Sequence, residues 1–99
     1  MKISEIKKKF NLPIIGGKGK SKDDPIIIDK KAIKNYIKLE YFIVSKLLEI
    51  NDNNNYQRVT QKLLKHNNKV IDYLKIKVSN NCTSQVNYED FYFDISNVY

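Results

Sequence analysis

The chain has 99 residues and a formal charge of +7. That length makes one domain, which buries roughly 60–70% of its unfolded surface and needs neither metal nor disulfide staples. The single Cys82 cannot pair within the chain, and its polar surroundings, Ser79 to Ser84, read as a loop in a protein of a reducing compartment.

No segment reaches membrane-spanning length, and the apolar positions after Lys7-Lys8-Lys9 (Phe10, Leu12, Ile14, Ile15) are too interrupted for a secretory core. A cytoplasmic protein with no membrane partner is expected. The positive charge needs care, because all but one of the 18 basic residues are lysine, Arg58 being the exception. Lys, Asn, Ile, Tyr and Phe dominate throughout, as they do when coding DNA is rich in A and T. The distribution is more telling: residues 1–22 hold seven lysines against Glu5, and the remainder nets only +1.

In chain order, residues 1–22 read as a basic N-terminal arm. Ile3, Ile6 and Phe10 have helical spacing, and Pro13 ends any such turn. The arm closes on Gly16-Gly17-Lys18-Gly19-Lys20-Ser21, which superficially resembles a phosphate-binding loop. The spacing excludes one: the glycine required five positions before Gly-Lys-Ser is Ile14, and Lys22-Asp23-Asp24-Pro25 stands where a helix should open. A glycine hinge is expected, followed by a single domain over residues 23–99.

Ile26-Ile27-Ile28 reads as a buried strand, and Asp29 as the cap of a following helix. Residues 30–50 form that helix, with Ile33, Ile37, Val44, Leu47 and Leu48 in one apolar stripe. Asn51 to Asn55 is a loop. Tyr56, Val59 and Leu63 share a helical face, and Asn67-Asn68 offers a left-handed terminus, which predicts a second helix over residues 56–66. The period then changes to two. Val70, Leu74, Ile76 and Val78 face one way and Ile71, Tyr73, Lys75 and Lys77 the other, and residues 88–95 alternate again with Phe91, Phe93 and Ile95 inward. The expected fold is α+β in β-α-α-β-β order, a helical hairpin packed on one face of a three-stranded sheet.

Three sets of side chains are candidates for function. On a helical wheel Glu40 falls between Ile33, Val44 and Leu47, so it must protonate or find a donor, and His66 lies beside Val59 and Leu63. A Glu40–His66 pair is the one acid/base arrangement the chain offers a small enzyme. A Cys82–His66 nucleophilic pair needs an electropositive cleft that the Asn/Ser/Thr loop does not supply. One histidine and one cysteine cannot build a common zinc site, and Asp72 and Lys75 point to opposite faces of a strand, so no metal and no cofactor are expected.

Tyr88, Asp90, Tyr92 and Asp94 form an alternating aromatic and acidic face suited to a protein partner. Lys7, Lys8, Lys9, Lys18, Lys20 and Lys22 are the alternative, a phosphate-binding arm for nucleic acid that lacks the arginine-rich aromatic surface of single-strand binders. Protein binding is the favoured expectation. Size and the lack of a catalytic set fit small inhibitor or immunity-type proteins of bacteria and phage, a likeness of class alone.

Overall fold

The computed structural model describes residues 2–99. Helix α1 (Ile3–Phe10) leads into strand β1 (Ile14–Gly16), a glycine loop and strand β2 (Ile26–Ile28). A 3₁₀ turn (Lys30–Ala32), helix α2 (Tyr36–Leu47) and three long strands, β3 (Asn54–His66), β4 (Lys69–Asn80) and β5 (Val86–Asp94), follow. The result is an α+β domain of two helices and a five-stranded mixed sheet in the order β1-β2-β5-β4-β3.

Four expectations hold locally. Ile26–Ile28 is a strand, and Asp29 caps the 3₁₀ turn by accepting from the Lys31 amide at 3.0 Å. Residues 70–78 lie within β4 and the expected strand over 88–95 falls within β5 as far as Asp94, with Leu74, Phe91, Phe93 and, just past the strand end, Ile95 at most 1% exposed. Leu39, Ile43 and Val44 of α2 pack onto them, joined by Ile14, Ile26, Ile28, Ala32 and Val98. Ile33 and Ile37 do not join this core and are more than half exposed, because the helix begins only at Tyr36 and buries its 39/40/43/44 face.

The second helix over residues 56–66 is corrected to strand β3. A bulge between Arg58 and Thr60 inserts Val59 into the ladder, so the inward positions run Tyr56, Arg58, Gln61, Leu63. This break in the two-residue alternation makes Tyr56, Val59 and Leu63 look helical. Asn67 and Asn68 both take positive φ (51° and 62°) in a two-residue turn between His66 and Lys69. They close a β-hairpin whose geometry needs two left-handed residues, where a helix end needs one. At about 3.3 Å per residue, β3 accounts for the 42 Å long axis of the molecule.

Residues 1–22 are likewise more than an arm, since α1 and β1 belong to the domain. Ile6 is fully buried and Ile14 pairs with Ile28. Phe10 meets Phe42 edge to face at 5.1 Å, with Lys46 above both rings. The sheet therefore has five strands where three were expected. The glycine stretch is tied to its own loop and to β5: the Gly19 amide donates to the Asp24 carbonyl at 2.8 Å and its carbonyl accepts from the Tyr92 amide at 2.9 Å.

Candidate functional site

Both helices pack on the sheet face that carries Leu74, Ile76, Phe91 and Phe93. Strand alternation sends the neighbouring side chains to the opposite face, which is covered at its Ile71–Asp94 end and open toward Tyr88 and Asp90. There Tyr73 stands opposite Tyr92, Lys75 opposite Asp90, and Lys77 opposite Tyr88 on β4 and β5, while Lys62 of β3 flanks Tyr73. Tyr88 and Asp90 are exposed and Tyr92 is half-buried.

The carboxylates of this face are already engaged. Asp90 accepts from the Tyr73 hydroxyl at 2.6 Å, and that bond, with burial and the Asp90 charge, pushes the phenol up to about 12. Asp94 is only 5% exposed and accepts from the Ser96 amide at 3.0 Å, so it shapes the turn after β5. The four residues Tyr88, Asp90, Tyr92 and Asp94 thus divide, with three on the open surface and Asp94 inside. The surface is also less acidic than the β5 sequence implies, because β4 and β3 bring Lys75, Lys77 and Lys62 beside it. Tyr73 and Tyr92 lean on each other with centroids 4.9 Å apart and planes at 32°, and the Lys75 ammonium lies 5.6 Å from the Tyr88 ring centre.

The lysines of the N-terminal segment fall into two groups. Lys7, Lys8 and Lys9 occupy the last turn of α1, where positive charge complements the helix dipole. Lys18, Lys20 and Lys22 are exposed on the glycine loop beside β5.

Glu40 and His66 do not meet. His66 Nε2 lies 2.6 Å from the Asp23 carboxylate, tying the β3–β4 turn to the glycine loop. Glu40 is 1% exposed and faces Asp72, also 1% exposed. Burial foremost, then the hydrogen bond to Asp72 and that carboxylate's charge, push the Glu40 carboxyl up to about 10, so it carries a proton at neutral pH and donates it to Asp72. Asp72 accepts twice from Gln61 Nε2 at 3.1 and 3.3 Å, and Gln61 Oε1 accepts from Arg58, which also donates to the Tyr41 hydroxyl. Tyr36 is raised by burial and by the nearby charges of the pair. This network runs from α2 through β4 to the surface of β3.

Sequence reasoning weighed Asp72 only as a metal ligand with Lys75 and missed it as the partner of Glu40, although parity alone places it inward with Val70, Leu74 and Ile76. Both carboxyls are enclosed, and their hydrogen bond joins α2 to β4. Glu40 Oε2 has no hydrogen-bond partner among the described residues. Cys82 is exposed near Asn53, at the far end of β3 from His66.

No helix among the described residues is long and apolar enough to cross a membrane. Comparison with protein-family models, with curated proteins and with solved structures finds no match to this chain.

Proposed function

We propose that this chain is a small protein-binding module that engages its partner through the open face of the sheet. The observation that carries the reading is that both helices pack on one side, leaving Tyr88 exposed and Tyr73 and Tyr92 half-buried among Lys62, Lys75 and Lys77 on the other. Tyrosines offer large contact area with a polar tip at low entropic cost, which favours them in interfaces. The lysines select a partner with an acidic surface, and Asp90, already held by Tyr73, adds little repulsion. An inhibitor or immunity-type role in a bacterium or phage fits a module of this size, acting in the cytoplasm without a cofactor.

Nucleic acid is the second reading, favoured by Lys18 and Lys22 on the loop beside the tyrosine strand. It ranks lower because stacking needs free ring faces. Tyr73 and Tyr92 already contact each other, Lys75 sits above Tyr88, and the only arginine is engaged with Tyr41 and Gln61 on the other face.

Affinity capture with the parent protein, Tyr88→Ala and Lys75→Glu tests both readings. The expected result is one stoichiometric protein retained by the parent and lost by both variants, each weakened by about 1–3 kcal/mol. Retention of the same protein by both variants rejects the surface. Recovery of an oligonucleotide, with affinity falling at a log–log slope of about −4 to −5 in salt, replaces the first reading with the second.

A further inference from the structure

The glycine loop uses two glycines to hold two lysines in place, and the proposed binding face does not account for both. Gly17 has φ +89°, and a Cβ there would lie 1.7 Å from the Pro25 carbonyl oxygen. Gly19 has φ +79°, and its Cβ would lie 2.7 Å from Ile26 Cδ1. A side chain at Gly17 would collide with the Pro25 backbone, and one at Gly19 would displace the Ile26 side chain, each at a positive φ that L residues rarely adopt. Gly19 is anchored on both sides, to Asp24 and to Tyr92, and Lys18 and Lys20 bracket it. Lys20 turns toward the helical layer, its ammonium 5.2 Å from the Phe91 ring centre and 3.9 Å from the Glu89 carboxylate.

A cleft of about 550 Å³ opens at that point, within the range of about 300–1,000 Å³ typical of small-molecule sites. Ile3, Leu47, Leu48 and Phe91 supply apolar walls, while Lys2, Lys18 and Lys20 stand among the lining residues against the single carboxylate of Glu89. The first turn of α1 also lines it through Ile3 and Ser4, although the Glu5 carboxylate already accepts from the Lys2 amide there at 3.3 Å, so the cationic character of the lining comes from the lysines. An apolar hollow whose charged lining is mostly cationic favours a ligand that is greasy at one end and anionic at the other.

We infer that the cleft between α1, the end of α2, β5 and the glycine loop binds a small amphiphilic anion, a single apolar chain or ring bearing one terminal carboxylate or phosphate. The apolar part replaces water against Ile3, Leu47 and Leu48, and the anionic group lies between Lys18 and Lys20 near the start of α1. This reading assigns the Gly16–Lys20 stretch an anion-binding role that owes nothing to a nucleotide loop. The site is separate from the tyrosine face, so either can fail without the other.

Calorimetric titration of the full chain with decanoate, below its aggregation concentration, tests the inference, with decanol as the uncharged control. Decanoate should bind more tightly than decanol. The double variant Lys18→Ala/Lys20→Ala should weaken decanoate about ten-fold, the sum of two exposed charge contacts, and leave decanol unchanged. The charge-matched control Lys30→Ala/Lys34→Ala should bind decanoate as the parent does. Decyl phosphate in place of decanoate then shows which headgroup is preferred. Equal binding of decanol and decanoate, an unchanged affinity in the Lys18/Lys20 variant, or no decanoate binding at about 1 mM overturns the inference.

Discussion

The two faces of the sheet treat carboxyl groups in opposite ways. On the helix-covered face Glu40 and Asp72 are removed from water, and the pair is tolerable because one carboxyl keeps its proton. On the open face Asp90 meets a tyrosine hydroxyl and stands opposite Lys75, with solvent at hand. Strands β4 and β5 supply residues to both faces, but alternation is not the whole rule, since Asp94 shares the parity of Asp90 and is nonetheless buried at the turn after β5. In the enclosed pair Glu40 keeps its proton, whereas the exposed Asp90 finds a donor and stays available for contact.

The sharpest way to break this comparison is to truncate matched residues on the two faces. Leu74→Ala and Phe93→Ala should each destabilise the domain by about 2–5 kcal/mol in chemical denaturation, as fully buried large-to-small changes do. Tyr88→Ala, on the same sheet but facing out, should stay within about 0.5 kcal/mol. Equal losses on both faces would show that the open face is covered.

The next effect is pH-dependent. Glu40 holds its proton in the folded chain up to about pH 10, whereas a glutamate free in water releases it near 4.5. Between those values the folded state binds one more proton than the unfolded, so stability falls as pH rises through that window. At about 1.4 kcal/mol per pH unit, the cost accumulated by pH 7 is about 3 kcal/mol at most. Glu40→Gln keeps a donor for Asp72 without requiring the proton. It should exceed the parent's stability by about 1–3 kcal/mol at pH 8, with the gap closing toward pH 5. Parallel denaturation curves for the two proteins at both pH values would remove the shared proton from the account.

Smaller effects sharpen the open face. Tyr73→Phe deletes the hydroxyl that holds Asp90 and should cost about 1 kcal/mol of stability, measured by thermal melts. Because it frees Asp90, it should also weaken any acidic partner while leaving the fold intact. Asp23→Asn removes the contact to His66, with Asp23 largely exposed, and should cost about 0.2–1 kcal/mol. A larger loss there would make the glycine loop a structural strap across the end of the sheet.

Much of the inner face could be read directly from the chain, for a physical reason. Uninterrupted strands keep a strict two-residue period, so Leu74, Phe91, Phe93 and Ile95 declared their direction, and Glu40 was conspicuous in an apolar stripe. The bulge at Val59 broke that period and let β3 resemble a helix. Asn67-Asn68 carried the hairpin signal, but a left-handed asparagine also ends helices, and only the residues on either side distinguish the two cases. The partners of Glu40 and of the tyrosines were hidden because they come from other strands. Asp72 and Lys75 lie 32 and 15 residues away from Glu40 and Asp90, and register is not written in local sequence. The integration of α1 and β1 was hidden for the same reason, since β1 is held by pairing with β2.

The parallel pairing of β2 with β5 brings Ile26 beside Phe93 and Ile27 beside Asp94. It is a contact between the first third of the polypeptide and its final residues. During synthesis, the β3–β4 hairpin can close as soon as its short turn has been made, because it needs only neighbours in sequence. Ile26–Ile28 must wait for residues 93–94, and until they arrive the β-branched run has an unpaired edge. The β2–β5 pairing thus closes a separation of 67 residues, from Ile26 to Phe93, and carries the high contact-order cost that the neighbouring β3–β4 hairpin avoids.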